Sequence, residues 1–266
     1  GNMDSCQSTI TILDTIAPQP LCQDTTIYLD MTGNFTIDSS FIDNGSFDSC
    51  GVLSITLSRY TFSCADTGVN SVTLYVQDVN GNIDSCSAFV TVMDTILPTI
   101  TCQPATFYLN ALGQLVIDTT GIVTSTNDNC GVDSVWLNVN DTSFGCVDTG
   151  NYVVTIYIMD PSGNMDSCQS TITILDTIAP TIVCQPATLY LDSLGQLVVD
   201  TSGIIVSTGD NCSVDSVWIN VNDTSFGCVD TGLYNVRIYV MDPSGNMDSC
   251  ISQITIRDTI APQPLC

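Results

Sequence analysis

The chain has 266 residues, 28 acidic against three basic, for a formal net charge of −25; every acid is Asp, and Lys, Glu and His are absent. A surface with so few cations cannot neutralise phosphate, which excludes nucleic-acid binding and unaided attachment to an anionic membrane. With no His, Lys or Glu, no free thiol expected and no pair of catalytic groups that breaks the repeat symmetry, an enzyme is not expected. Hydrophobic residues make up 44% of the chain and 14 cysteines are present, which argues for folded modules cross-linked in an oxidising compartment rather than a disordered polyanion.

Residues 1–16 open the chain with GNMDSCQSTITIL, and GNMDSCISQITIR recurs at 245–257. The cysteines carry that recurrence throughout: Cys6, Cys86, Cys168 and Cys250 are spaced by 80, 82 and 82 residues, and Cys22, Cys102, Cys184 and Cys266 by the same intervals. A fixed period of this size marks a tandem array. The expected organisation is the last strand and linker of a preceding module at 1–16, repeat modules at 17–96, 97–178 and 179–260, and the start of a further module at 261–266. The stretch reads as a window on a longer array, and it contains no apolar run of 18 residues, so no direct membrane insertion is expected of this segment.

Within the second repeat, runs rich in Val, Ile, Thr and Tyr alternate with Gly, Asn, Asp and Pro clusters, the pattern of short strands joined by turns. Strands are predicted at Thr106–Leu109, Gln114–Asp118, Val132–Val139, Ser143–Cys146, Tyr152–Met159 and Ser170–Leu175. A period of two puts Tyr152, Val154, Ile156 and Ile158 on one face, and the third repeat keeps the register with Tyr234, Val236, Ile238 and Val240 inward and Asn235, Arg237 and Tyr239 outward. The fold class is therefore all-β: tandem immunoglobulin-like β-sandwich modules, each with two intramodular disulfides. Linkers run from Asp94 to Pro98 and from Asp176 to Pro180, with related stretches at Asp14 and Asp258. Short and ending in Pro, they read as semi-rigid joints of a rod.

The string CQDTTIYLD…DNGSFDSCGVLSITL…FSCADTGVNSVTLYVQDVNGNIDSCSAFVTVMDTILP, with its DN-x-C, C-x-D-x-G and D-x-x-G-N-x-x-x-C elements recurring in order, resembles the hyalin-repeat-like, four-cysteine immunoglobulin-type repeats of large Bacteroidetes surface proteins. That resemblance implies secreted or cell-surface stalks of adhesins and gliding-associated proteins. It also implies O-glycosylation at Asp-Ser/Thr followed by an apolar residue or Thr, strings found at Thr15, Thr25, Thr95, Thr119, Ser134, Thr177, Ser193, Ser216 and Thr259. Asn-x-Ser/Thr occurs at Asn34, Asn44, Asn140, Asn211 and Asn222 and matters only in a host with the matching machinery.

Four cysteines per module allow three connectivities. The second cysteine of a module and the Gly-Asn turn before the fourth are expected at one pole of the sandwich. This favours Cys50–Cys86, Cys130–Cys168 and Cys212–Cys250, leaving Cys22–Cys64, Cys102–Cys146 and Cys184–Cys228 by elimination. Cys6 and Cys266 are left over. A zinc site built from the four cysteines of a module is disfavoured by the lack of Cys-x-x-Cys pairs and of His.

Asp-Thr-Gly, the tripeptide of aspartic proteases, recurs at Asp66, Asp148 and Asp230. One copy per module cannot form a two-carboxylate dyad, and a tight turn with Gly at positive φ is the expected role. More informative is the series Asp78, Asn80, Asn82, Asp84, repeated as Asp160, Ser162, Asn164, Asp166 and as Asp242, Ser244, Asn246, Asp248. Side-chain oxygens at alternate positions around a Gly are hard ligands suited to calcium. The loops at Asp43/Asn44, Asp128/Asn129 and Asp210/Asn211 are expected beside these turns, with linker Asp94 or Asp176 closing a site across the joint. The competing reading is an Asx/Gly turn on an acidic surface. Trp136 and Trp218, with Thr56 at the same place in the first repeat, fall on the outer side of their strand. A second-sheet or intermodule contact is expected, and an exposed platform for another chain or a glycan is the alternative.

Three functions fit the sequence. The modules form the stalk of an adhesin, disulfide-stabilised and calcium-rigidified; they are subunits of a self-assembling extracellular filament, with other copies as partners; or they bind surface glycans. Near-identity of the second and third repeats favours the first two.

Overall fold

A computed structural model of the chain describes residues 1–138, 142–220 and 224–262. Val139, Asn140, Asn222 and Cys266, named above, lie outside the described residues. The chain divides into two compact units, one made of residues 1–101, 124–136 and 157–168 and the other of residues 102–123, 137–156 and 169–266. The division passes through the middle repeat, so its junction with the first repeat belongs to one unit and its junction with the third to the other.

The structure is all-β, a series of tandem β-sandwich modules. In the first repeat the strands are β1 (Thr25–Tyr28), β2 (Asn34–Thr36), β3 (Val52–Leu57), β4 (Thr61–Ser63), β5 (Gly68–Asp78) and β6 (Ile83–Met93). The second adds β7 (Thr99–Cys102), β8 (Ala105–Tyr108), β9 (Gln114–Val116), β10 (Val123–Asn127), β11 (Ser134–Leu137), β12 (Ser143–Gly145), β13 (Gly150–Met159) and β14 (Met165–Leu175). The third repeats that series as β15 (Thr181–Cys184), β16 (Ala187–Tyr190), β17 (Gln196–Val198), β18 (Ile205–Gly209), β19 (Ser216–Ile219), β20 (Ser225–Gly227), β21 (Gly232–Met241) and β22 (Met247–Arg257).

Each module is organised by its last two strands. β5 and β6 form a long antiparallel hairpin in which Leu74 faces Cys86, and β21 and β22 form its counterpart with Ile238 opposite Cys250. The sheet is completed in the order β1-β6-β5-β3 in the first repeat and β16-β22-β21-β19 in the third, while β2–β4 and β17–β20 form small antiparallel pairs. β1 runs parallel to β6, β8 to β14 and β16 to β22, because each enters from the linker at the pole where the last strand also begins.

Alternation along the hairpins sets the core. Val72, Leu74 and Val76 on β5, Val154, Ile156 and Ile158 on β13, and Val236, Ile238 and Val240 on β21 are all at most 1% exposed. The expected register is therefore correct, although Tyr152 and Tyr234 sit at its half-buried end. The predicted strands appear with shifted ends. β7 and β10 were not anticipated, since TITC is short and VTSTN shows no apolar alternation. Residues 1–16 form no strand and are almost wholly exposed, whereas the matching sequences at β14 and β22 are the second arms of hairpins and take their pairing from the first arms. Among the described residues no helix is long and apolar enough to cross a membrane.

The hairpin interior should carry much of each module's stability. Ile238→Ala removes a side chain with no exposed surface and should cost about 2–5 kcal/mol in urea unfolding, whereas Leu233→Ala, on a residue 62% exposed, should change it by less than about 0.5 kcal/mol.

Candidate functional site at the module joints

The disulfides are not the expected ones. Cys22 bonds Cys86 and Cys184 bonds Cys250, the first and fourth cysteines of one module. Cys64 bonds Cys130 and Cys146 bonds Cys212, the third cysteine of one module and the second of the next. Cys102 and Cys168 are also disulfide-bonded. Cys6, Cys50 and Cys228 are free and exposed. The pairings Cys50–Cys86, Cys212–Cys250, Cys22–Cys64 and Cys184–Cys228 are thus replaced, and Cys130 and Cys146 are taken by partners other than Cys168 and Cys102.

The reason lies in strand geometry. Cys86 is four residues beyond Asn82, about 13 Å up β6 from the polar turn, too far from Cys50 at the pole for the short Cα separation a disulfide needs. It faces Cys22 instead, which is seated by a bridge to Asp43. Cys64 lies in a 3-10 turn after β4, at the opposite pole, where the next module begins. Each bridge spans a loop of 64 or 66 residues, which in the chain-entropy account contributes about 4 kcal/mol against unfolding.

Around the intermodule bond the two modules approach closely. Gly33, at φ +71°, follows Asp30 in the β1–β2 turn, and a Cβ there would stand 2.6 Å from the carbonyl oxygen of Asn129 and from Cys64 Sγ. Gly113 stands in the same relation to Asn211, whose carbonyl oxygen is 2.6 Å from an added Cβ. Both glycines are needed for two reasons, their backbone conformation and the space they leave. Asn129 Nδ2 donates to Asp30 O at 3.2 Å and to Asp94 Oδ1 at 3.1 Å; Asn211 repeats this with Asn110 O at 3.4 Å and Asp176 Oδ1 at 3.1 Å. One amide therefore ties the preceding module, the linker and the following module together. The sequon at Asn211 is committed to this contact.

The acidic turns take two different roles. Asp78, Asp160 and Asp242 are buried at the start of their hairpin turns. Asp160 Oδ1 accepts from the amides of Ser162 and Asn164, and its Oδ2 from Asn164 Nδ2 at 2.7 Å. Asp78 and Asp242 hold Asn82 and Asn246 in the same way. Those asparagines reach on to the linker: Asn164 Nδ2 donates to Asp94 O, and Asn246 Nδ2 to Asp176 O. Asn80 donates to Asp14 Oδ2. Asp84, Asp166 and Asp248 are exposed and accept from the next amide in the chain, apart from the joint.

At the joint itself, carboxylate oxygens of Asp94, Asp128 and Asp160 lie within 4.8 Å of one another. Asp94 is 6% exposed, and its Oδ2, Asp128 Oδ1 and Asn129 Oδ1 are buried without a hydrogen-bond partner. The same three atoms are orphaned in Asp176, Asp210 and Asn211. Asp176 and Asp210 also approach Cys212, whose sulfur is spent in a disulfide and offers no thiolate. In the first repeat the corresponding aspartate is Asp48, two residues before Cys50, rather than Asp43, which accepts from the Ser46 amide. There Asp48 Oδ1 takes the Cys50 and Gly51 amides, as Asp210 Oδ2 takes those of Cys212 and Ser213, and Asp14 takes Ile16 N and Asn80 Nδ2, but among the described residues neither carboxylate has a buried oxygen without a partner. Ser49 stands where the others have Asn.

The Asp-Thr-Gly aspartates are caps. Asp66 Oδ2 accepts the Ser63 amide at 2.8 Å and pairs with Arg59, while Asp148 and Asp230 accept from Gly145 and Gly227. Gly68, Gly150 and Gly232 have positive φ, as the turn reading requires. Trp136 stacks on Tyr157 at 5.8 Å and Trp218 on its cross-strand partner Tyr239 at 5.6 Å, so these contacts lie within one sheet, on its outer face, in place of the second-sheet or intermodule contact expected. Of the hydroxyls in Asp-Ser/Thr strings, Thr15, Thr95, Thr177, Ser193 and Thr259 are exposed and Thr25, Thr119, Ser134 and Ser216 half-buried. Sequence reasoning missed Cys64 and Cys146 as joint residues; their position beside the Asp-Thr-Gly turn, at the pole away from the second cysteine, was the available signal.

The Arg59 guanidinium beside Asp66, followed by the Ser63 amide, holds the Asp66 carboxyl below its ordinary 3.8. A carboxyl depressed on folding stabilises the fold above its unfolded value, and the contribution is lost as pH falls through the folded value. The gap in melting temperature between the wild type and Asp66→Asn, which largely cancels the general charge repulsion, should be full near neutrality and close below 3.8.

No family model matches the chain, and no curated protein matches it. Among solved structures, mouse cadherin-23 EC22-24 aligns at 13% identity and TM-score 0.33 over 91% of this chain and 99% of that one. Titin domains I67–I69 align at 12% and 0.34 over 91% and 100%, and PcdhgB3 EC1-4 at 15% and 0.33 over 91% and 76%. Likenesses this distant have no bearing on what the chain does.

Proposed function

We propose that this segment is a structural part of a long extracellular repeat protein, the disulfide-stabilised stalk of a cell-surface adhesin. The observation that carries the reading is the bond from one module to the next at Cys64–Cys130 and Cys146–Cys212. A joint with a covalent tie beside the peptide is suited to holding modules in line, and it is of no use to independent binding domains on a flexible string. Near-identity of the second and third repeats supports the reading, since a spacer has no need to differ along its length.

Calcium is the second tie. Three buried acceptors per joint, two of them from carboxylates, call for a positive centre; one water brings two hydrogens and cannot serve all three. Hard oxygens, oxidised sulfurs and no His select calcium or magnesium over zinc, and the irregular donor set suits calcium, with water filling the remaining positions. The completed donor set occurs at two joints, so the oxidised chain should bind two calcium ions by isothermal titration calorimetry. Asp94→Asn with Asp176→Asn should abolish that binding. A stoichiometry of three, or none, would count against the assignment.

A second reading, end-to-end assembly into a filament, is favoured by Cys228 and Cys50. Cys228 lines an open cavity of about 440 Å³ with Gly195 and Asp258, the counterpart of the place where Asn129 meets Gly33, and Cys50 is the equivalent of Cys130. Sedimentation velocity of the oxidised chain in calcium separates the two. The stalk reading expects one elongated monomer whose frictional ratio falls when the intermodule bonds are reduced; a concentration-dependent polymer lost in Cys228→Ser would establish the filament instead.

A further inference from the structure

We infer that the third repeat presents a preformed socket, at Gly195, Cys228 and Asp258, for an Asp-Asn-Cys loop of another repeat module, and that the socket selects the asparagine of that loop. The inference deepens the stalk reading and rests on the joints that carry it. Filled sockets in the same chain show what the site takes. Gly33 and Cys64 receive Asn129 and Cys130, and Gly113 and Cys146 receive Asn211 and Cys212. The third repeat has the same receiving parts. Gly195 stands at φ +70°, against +71° at Gly33 and +67° at Gly113. Its amide closes the same turn onto Asp192 O, and Cys228 Sγ lies 3.6 Å from Gly195 O, as Cys146 Sγ lies 3.6 Å from Gly113 O. Asp258 makes the linker turn, its Oδ1 accepting the Ile260 amide as Asp94 and Asp176 accept those of Ile96 and Ile178. Only the cover differs. Asp94 and Asp176 are 6% exposed, whereas Asp258 and Cys228 are exposed and line the open cavity of about 440 Å³ with Gly195. The socket keeps its shape without a loop, so filling it costs little reorganisation.

The loop brings an amide with two hydrogens. In each filled joint that amide donates to a carbonyl of the glycine turn, Asp30 O or Asn110 O, and to the linker carboxylate, Asp94 Oδ1 or Asp176 Oδ1. Asp192 O and Asp258 Oδ1 hold those places in the open socket. The first repeat's loop, Asp48-Ser49-Cys50, makes the same aspartate turn, with Asp48 Oδ1 on the Cys50 amide as Asp128 and Asp210 hold those of Cys130 and Cys212. It therefore offers its cysteine in the same way. Ser49, however, ends in a hydroxyl one bond shorter with a single hydrogen, and it cannot serve both acceptors. A second copy of this chain, entering by its exposed Cys50, is thus the poorer occupant, and a module with Asp-Asn-Cys is the fitting one. The covalent bond closes by exchange. The Cys228 thiolate, its proton lost to solvent, attacks a loop cysteine held as a mixed disulfide with a small thiol; one S–S bond forms as the other breaks, and the small thiol leaves as thiolate.

The test offers the whole oxidised chain two peptides, each as its mixed disulfide with glutathione: residues 124–134, and the same peptide with Asn129→Ser. Capture at Cys228 is read by mass spectrometry after non-reducing digestion, with capture at the exposed thiols Cys6 and Cys50 as the internal reference. The expected result at Cys228 is about tenfold more of the Asn peptide than of the Ser peptide, with equal amounts of the two at Cys6 and Cys50. Asp258→Ala, at an exposed residue, removes one of the two acceptors and should bring the Cys228 ratio towards one without disturbing the fold. Equal capture of both peptides at Cys228, or the same preference at Cys6 and Cys50, would overturn the inference. So would a peptide of residues 44–54, which carries Ser49, captured at Cys228 as well as the Asn peptide. The same digest separates the two failures. Absence of Cys64–Cys130 and Cys146–Cys212 would overturn the stalk reading and the inference with it, whereas both bonds present with no preference for Asn would overturn the inference alone.

Discussion

The close approach of an Asp-Asn-Cys loop to a glycine turn on the module before it is the contact on which each joint depends. Gly33 and Gly113 leave no room for a Cβ, and that absence lets the neighbouring backbone come near enough for a disulfide to close. Once it has closed, Asn129 or Asn211 can reach both the preceding turn and the linker. The linker aspartate is then drawn into the interior, 6% exposed, beside a second carboxylate. Burying two like charges together is costly unless something neutralises them. The packing that makes the joint tight thus also creates the demand for a cation.

Modules, core and register could be read from the sequence, and the joint only in part. The cysteine period needed no structural knowledge, and the alternation in Tyr152–Met159 and Tyr234–Val240 identified the buried face because a half-buried hairpin must alternate. The linker aspartates and the Asp128/Asn129 and Asp210/Asn211 pairs could be named from their places in the repeat. Cysteine pairing could not, because partner choice depends on which pole each loop reaches, and four residues of strand decide that for Cys86. The turn aspartates show a related limit. Asp78, Asp160 and Asp242 have ligand-like spacing and accept from their own turns, and only the fold shows that Asp160 also stands with Asp94 and Asp128.

A net charge of −25 with three arginines means that neighbouring modules repel across every joint. Hydrophobic contact between modules would be the common remedy, yet the joint is built mainly from Asp, Asn, Gly and Cys. The disulfide supplies an attachment that screening by salt does not weaken, and a cation bound at the paired carboxylates, as proposed above, would place positive charge beside them. Asp14 and Asp48 show the alternative. With Ser49 in place of Asn, neither of these carboxylates has a buried oxygen left without a partner.

The two ties answer different mechanical demands. A disulfide fixes the greatest separation of two points but leaves rotation about its own axis, so it limits extension more than bending. A cation gripped by the linker and by a loop of the following module constrains the angle between them, but exchanges on a timescale that covalent bonds do not share. Removing calcium from such a chain should make it more flexible at constant contour length, whereas reduction should allow it to lengthen while its cation sites, deprived of the bond that presses Asn129 against Gly33, lose affinity. The angle between two modules and the separation of their facing poles would then be set by separate chemistry within a few residues of each other, Asp128 and Asn129 for the first and Cys130 for the second.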